Sequence, residues 1–115
     1  MTAVRVLVVE DEMMIAMDMD DMLVEMGFEV VGPAAWLDRG MELARQESFD
    51  LAVLDVNLAG ETSFPIAEIL RDRGIPFLFA TGYGAAGLTE TYAGTTTLQK
   101  PVEFSQLKAA IASLR

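Results

Sequence analysis

The chain contains no cysteine and no histidine. Without cysteine it forms neither disulfides nor thiolate metal sites, which fits a reducing compartment. Without histidine it carries no phosphohistidine, no Ser-His-Asp triad and none of the usual zinc sites. Any metal must then be held by oxygens, which suits Mg²⁺, Mn²⁺ or Ca²⁺. Bases are scarce too: 8 Lys and Arg stand against 18 Asp and Glu, a formal charge of -10. Such a field disfavours nucleic acid and anionic membrane surfaces, and it favours cations or a basic protein face. No apolar run is long enough to cross a bilayer and nothing resembles a signal peptide, so a cytoplasmic protein is expected.

What is present is globular in character. At 115 residues, 52% hydrophobic and 23% charged, the chain suits one domain over residues 1–115 with a single core. The first 31 residues hold eight acids and one base, Arg5, so the acidity is concentrated near the N-terminus.

Five short apolar runs alternate with stretches of helical character. Residues 4–9 (VRVLVV) read as a strand buried on both faces. Residues 12–26 read as an imperfect amphipathic helix, with Met14, Ile15, Leu23 and Met26 on its apolar side, ending at Gly27. A brief strand over 29–32 is expected to stop at Pro33. A second helix spans 34–46, a third strand 50–55 (DLAVLD), and a third helix 63–73 with Pro65 in its first turn. The fourth strand covers 77–80. Residues 82–94 hold four glycines, so any helix there should be short and weakly held. Thr95 to Leu98 favour a fifth strand, and a last helix over about 103–114 should turn Leu107, Ile111 and Leu114 to the sheet.

This alternation predicts an α/β fold: a doubly wound, five-stranded parallel sheet in the order 2-1-3-4-5, a flavodoxin-like three-layer sandwich. In such sheets ligands collect at the carboxyl ends of the strands near the order reversal. Glu10 and Asp11 follow strand 1, Asp55 ends strand 3, Thr81 follows strand 4 and Lys100 follows strand 5. Asp11 and Asp55 should therefore come close. Carboxylates crowded together repel, and at least one pKa should rise unless a hard divalent cation neutralises them. The bland alternative is that Asp11 caps the helix beginning near Glu12.

At this point the whole chain resembles the response-regulator receiver domain of bacterial two-component signalling. The matching motifs are VLVVEDE (6–12), LAVLDVNLAG (51–60), FLFATGYG (77–84) and LQKP (98–101). The resemblance implies that Glu10 and Asp11 organise Mg²⁺, that Asp55 accepts a phosphoryl group, and that the Asn57 carbonyl completes the metal ligands. It further implies that Thr81 contacts the phosphoryl oxygens, that Lys100 pairs with them, and that the Lys100-Pro101 bond is cis. FATGYG, preceded by Pro76 and Phe77, is more narrowly similar to a subfamily named for its FATGUY motif. That subfamily stands beside kinases of the HWE or related type. Receivers usually carry an aromatic switch residue three positions before the strand-5 lysine. Thr97 stands there instead, with Tyr83 and Tyr92 as nearby substitutes or simply as partly exposed packing.

These parts suggest a mechanism. Asp55 attacks phosphorus in line while a cation offsets the charges, and Lys100, Thr81 and nearby backbone N–H groups receive the new oxygens. The added charge then shifts a population between two surfaces. Lys100 is expected to matter more to the phosphorylated state than to the fold; the bland alternative is that it offsets nearby acids, including Asp11, and helps keep the unphosphorylated site folded. The expected partners are a sensor histidine kinase and a downstream protein or phosphotransfer partner, with no nucleic acid and no membrane. No output segment follows Arg115 in this sequence; for a chain that is the full natural protein, protein–protein binding or competition for phosphoryl groups is the expected output. A docking domain that is never phosphorylated is one alternative. Another is a phosphatase of the haloacid-dehalogenase type, which needs an acid two residues after its nucleophile. That place holds Asn57, and an amide delivers no proton.

Overall fold

The computed structural model describes residues 3–82 and 88–115. Its strands are β1 (Arg5–Val9), β2 (Glu29–Ala34), β3 (Leu51–Asp55), β4 (Asn57–Leu58), β5 (Glu61–Thr62), β6 (Phe77–Thr81) and β7 (Thr97–Gln99). The helices are α1 (Met13–Glu25), α2 (Leu37–Gln46), α3 (Phe64–Arg73) and α4 (Phe104–Leu114), with a 3₁₀ turn at Glu90–Tyr92. The main sheet runs β2-β1-β3-β6-β7, every neighbouring pair parallel. Counted along the chain, that is the expected order 2-1-3-4-5 in a flavodoxin-like sandwich.

Alternation along the strands sorts the core into two layers. Leu7, Val9, Ala52, Leu54, Phe77 and Phe79 face α2 and α3. Val6, Val8, Leu51, Val53, Leu78 and Ala80 pack with Met19 and Leu23 of α1 and with Leu107 and Ile111 of α4. Each such fully buried large apolar side chain contributes about 1.5–3 kcal/mol of transfer free energy. This double coverage is why the strands read as continuous apolar runs.

Four local expectations need correction, and one element was not foreseen. Pro33 does not stop β2: the Gly32-Pro33 bond is cis and the strand runs on to Ala34, with a register shift opposite Leu7 and Val9. Gly32 has φ +96°, and a Cβ there would meet Ala34 N at 2.9 Å and Val8 O at 3.0 Å, so only glycine fits. In consequence α2 starts at Leu37 rather than at residue 34. On α1 the buried residues are Ala16, Met19 and Leu23, while Met14 is 80% exposed; the face that meets the sheet is set by these three at helical spacing. The fifth strand lies at Thr97–Gln99, two residues later than expected at its start. Finally, the antiparallel pair β4-β5 went unforeseen. Its turn places Ala59 at φ 49° and Gly60 at φ 92°, the two positive φ values of a two-residue hairpin loop.

Candidate functional site

The carboxyl ends of β1, β3, β6 and β7 open onto one crevice lined by Asp11, Asp55, Asn57, Ala59, Thr81, Gly82 and Lys100. Glu10 is set by its own N–H, which donates to the carbonyl of Ala34 on β2 at 2.9 Å. One oxygen each from Glu10, Asp11 and Asp55 lies within 4.8 Å of the others. Glu10 and Asp55 are buried and Asp11 is half-buried.

Polar contacts tie the acids down. Glu10 Oε2 accepts the N–H of Glu12 at 3.1 Å. Asp11 Oδ2 accepts the N–H of Ala59 at 3.1 Å, which fastens the β4-β5 hairpin to β1. Asp11 is therefore a hairpin anchor, and the helix-capping alternative is not what the structure shows: the residue capping α1 is Glu12, with no side-chain cap bond. Asn57 Oδ1 accepts the N–H of Gly60 at 3.0 Å and steadies the same turn. Thr81 is buried at the end of β6, and its carbonyl accepts the Lys100 N–H at 2.8 Å. The Lys100-Pro101 bond is cis.

Lys100 takes the acid-offsetting place that the alternative reading gave it. Its side chain is only 12% exposed, with Nζ 2.5 Å from Glu10 Oε1 and 2.9 Å from Asp55 Oδ2. It already serves as counterion to two buried acids, so its weight falls on the resting site as well as on any phosphorylated one.

The electrostatics follow from this crowding. Burial pushes the Glu10 carboxyl up to about 7, against the opposing pull of Lys100 and the Glu12 N–H. Burial raises Asp55 as well, again opposed by Lys100. For Asp11 burial is the largest influence and acts upward, but hydrogen bonds with Glu10, the Ala59 N–H and Asp55 outweigh it and hold the group below the usual carboxylate range. Burial alone would lower Lys100, yet its bonds to Glu10 and Asp55 dominate and raise it. A cluster of oxygen donors, two of them reluctant to ionise together, fits a hard divalent cation.

The remaining sequence candidates lie elsewhere or outside the description. Tyr83 falls outside the described residues. Tyr92 is buried, not partly exposed, and belongs to the aromatic cluster on the α2/α3 side. Thr97 is half-buried on β7, its Oγ1 donating to the Thr95 carbonyl at 3.0 Å. Sequence reasoning missed Ala59, whose backbone N–H holds Asp11. The available signal was the Ala59-Gly60 pair between two short extended stretches.

Residues 6–112 match the response regulator receiver domain model. The chain belongs to that family. The receiver domain is 37% identical over 111 residues to the transcriptional regulatory protein PdtaR of Mycobacterium tuberculosis, covering 93% of this chain and 54% of that protein. It thus spans about half the length of the curated relatives it matches. Among solved structures it superposes on SdrG from Sphingomonas melonis Fr1 with a TM-score of 0.86 at 36% identity, covering 99% of this chain and 98% of that one. The receiver domain of PhyR from Erythrobacter litoralis gives a TM-score of 0.86 at 27% identity, covering 97% and 89%. A receiver fold carrying the acidic cluster Glu10, Asp11 and Asp55 is consistent with phosphoacceptor signalling. Among the described residues no helix is long and apolar enough to cross a membrane.

Proposed function

We propose that this chain is a phosphoacceptor that takes a phosphoryl group from a sensor histidine kinase onto Asp55 and signals by altered protein–protein binding. The observation that carries the reading is the buried Asp55 carboxylate, gathered with Glu10 and Asp11 within 4.8 Å and paired to Lys100 at 2.9 Å. Residues 1–115 act as one receiver unit in the cytoplasm. The FATGYG stretch favours a FATGUY-type receiver and an HWE-type kinase as donor.

Glu10, Asp11, Asp55 and the Asn57 carbonyl would hold Mg²⁺ or Mn²⁺, which when bound offsets the charge of the carboxylates and of the incoming phosphoryl oxygens. An Asp55 oxygen attacks phosphorus in line, forming the new O–P bond. The P–N bond to the kinase histidine breaks, and its electron pair returns to the imidazole. Lys100 remains beside Asp55 and donates to the transferred oxygens, joined by the Thr81 hydroxyl. The product is an acyl phosphate, self-catalysed on this side and slowly hydrolysed.

Acid-quenched labelling tests this. In Mg²⁺ and a phosphorylated donor, such as a labelled kinase or acetyl phosphate, one hydroxylamine-labile phosphoryl group should appear and be lost in Asp55→Ala. Retained labelling in that variant would sink the assignment, and absence of label in the wild type would leave only a docking domain.

A further inference from the structure

The 3₁₀ turn Glu90–Tyr92 is held by side chains of α3. Arg71 Nη2 donates to the Thr91 carbonyl at 3.1 Å, and its guanidinium lies 4.8 Å from the centre of the Tyr92 ring. Tyr92 is 6% exposed. Its ring stacks on Phe64, 4.9 Å between centroids at 22°, and meets Phe79 edge-on at 5.7 Å. Its hydroxyl makes one long bond, 3.4 Å, to the Phe64 carbonyl. The turn's own backbone bonds are local, from Tyr92 N to Thr89 O and from Thr95 N to Tyr92 O.

Phe64 is also the first residue of α3, directly after the β4-β5 hairpin. The hairpin is closed at its base by the Ser63 N–H donating to the Val56 carbonyl at 2.9 Å. Its tip is fastened to Asp11 by the Ala59 N–H at 3.1 Å. One short run of chain, residues 56–64, therefore touches the acidic crevice at one end and the Tyr92 ring at the other. An open groove lined by Thr62, Phe64, Arg71, Thr91 and Tyr92 lies along this join, so moving the ring reshapes an exposed surface.

We propose that the Phe64–Tyr92 stack is a latch that carries displacement of the β4-β5 hairpin to the Glu90–Tyr92 turn, making that turn and its groove the surface that reports the state of the crevice. Packed aromatic elements settle into discrete arrangements rather than deforming smoothly, which suits them to relay a small shift. The path does not pass through Thr97, whose described hydroxyl bond is to Thr95. Its use in signalling rests on the phosphoacceptor reading; the mechanical latch does not.

Amide hydrogen exchange on the cation-free protein tests the latch. In Phe64→Leu the amides of Tyr92 and Thr95 should exchange about tenfold faster, the expected effect of losing one aromatic stack. Interior amides of β1 and β3 should stay within about twofold of wild type, as a local opening requires. Tyr92→Phe keeps the ring and should behave as wild type, which guards against a variant that simply fails to fold. Unchanged exchange at Tyr92 and Thr95 in Phe64→Leu overturns the latch. A second arm adds Mg²⁺ and beryllofluoride. Wild-type amide shifts are expected at residues 57–60 and 89–95, and Phe64→Leu should keep the first set and lose most of the second. Full retention of the second set overturns the proposal. Absence of shifts at 57–60 in wild type defeats the phosphoacceptor reading instead, and the exchange arm then decides the latch alone.

Discussion

A single ammonium, Lys100 Nζ, bridges two buried acids, 2.5 Å from Glu10 Oε1 and 2.9 Å from Asp55 Oδ2. Because a cation at this cluster needs the same two carboxylates, lysine and metal compete for them. Lys100→Met keeps most of the stem and removes the charge. Without Mg²⁺, at a pH above the Glu10 range, it should lose about 3 kcal/mol of stability, the usual cost of breaking a buried pair from one side. Mg²⁺ affinity should rise about tenfold, the effect of removing a neighbouring like charge at about 1.4 kcal/mol. Urea unfolding and Mg²⁺ titration by NMR measure both. Equal Mg²⁺ affinity in the two proteins would show that the ammonium does not contend with the ion.

The raised carboxyls give the cation-free protein an unusual pH dependence. Glu10, at about 7 against an ordinary 4.5, binds more protons folded than unfolded between those values. Stability therefore falls as pH rises through that window. Asp55 is raised and acts in the same direction. Asp11 is lowered from 3.8, so its contribution is lost only as pH falls below the window. Lys100 is raised above 10.5, so its contribution is fully present throughout. The melting temperature without Mg²⁺ should drop between roughly pH 4.5 and 7, and Glu10→Gln should flatten that drop. Mg²⁺ affinity should climb over the same interval, since the ion binds the ionised acids. A cation-free melting temperature that rises across this range would refute the assignment to Glu10.

These two dependences mark the boundary of what was legible in the amino-acid order. Strand positions, sheet order and the meeting of Glu10, Asp11 and Asp55 were readable because doubly covered parallel strands are continuously apolar and a change to acid marks their ends. The burial of Lys100 was not readable. A lysine after a strand looks the same whether its stem lies over the rim or inside the crevice. Pro33 misled because β2 lies at the edge of the sheet, where a proline that lacks an N–H donor need not end the strand. Met14 misled because α1 carries methionine on both its buried and its exposed sides, leaving helical periodicity too weak to choose a face. The β4-β5 hairpin is two residues per strand, too short to leave a periodic signal.

Asp11 has two separable tasks, charge in the cluster and acceptor for the Ala59 N–H. Asp11→Asn retains an acceptor oxygen but no charge. It should weaken Mg²⁺ binding about tenfold, as loss of one ligand charge implies, while leaving hairpin amide shifts near wild type. Asp11→Ala removes both and should speed exchange at Ala59 as well. Ala59→Gly gives the converse case: relieving φ 49° should stabilise the hairpin by about 1 kcal/mol. If Asp11→Asn and Asp11→Ala affect Ala59 equally, the hydrogen bond is not what holds the turn.

Helices α2 and α3 meet at a contact where an added atom forces a neighbour to shift. A Cβ built on Gly40 of α2 would sit 2.5 Å from Ile66 Cδ1 of α3 and 3.5 Å from Val9 Cγ1 of β1. Helix propensity alone favours Gly40→Ala by about 1 kcal/mol. Overpacking opposes it by about 1–3 kcal/mol, and here the crowded neighbour is fully buried, so the steric term should win. Gly40→Ala is expected to destabilise by about 1 kcal/mol net. Ile66→Val removes the offending Cδ1 and alone should cost about 1 kcal/mol through the small cavity it leaves. Together the two changes place a methyl where a methyl was removed, so the double variant should be more stable than the sum of the singles by about 1–2 kcal/mol. Urea unfolding of all four proteins closes the cycle. Additivity within error would mean that α2 and α3 shift apart to admit the methyl.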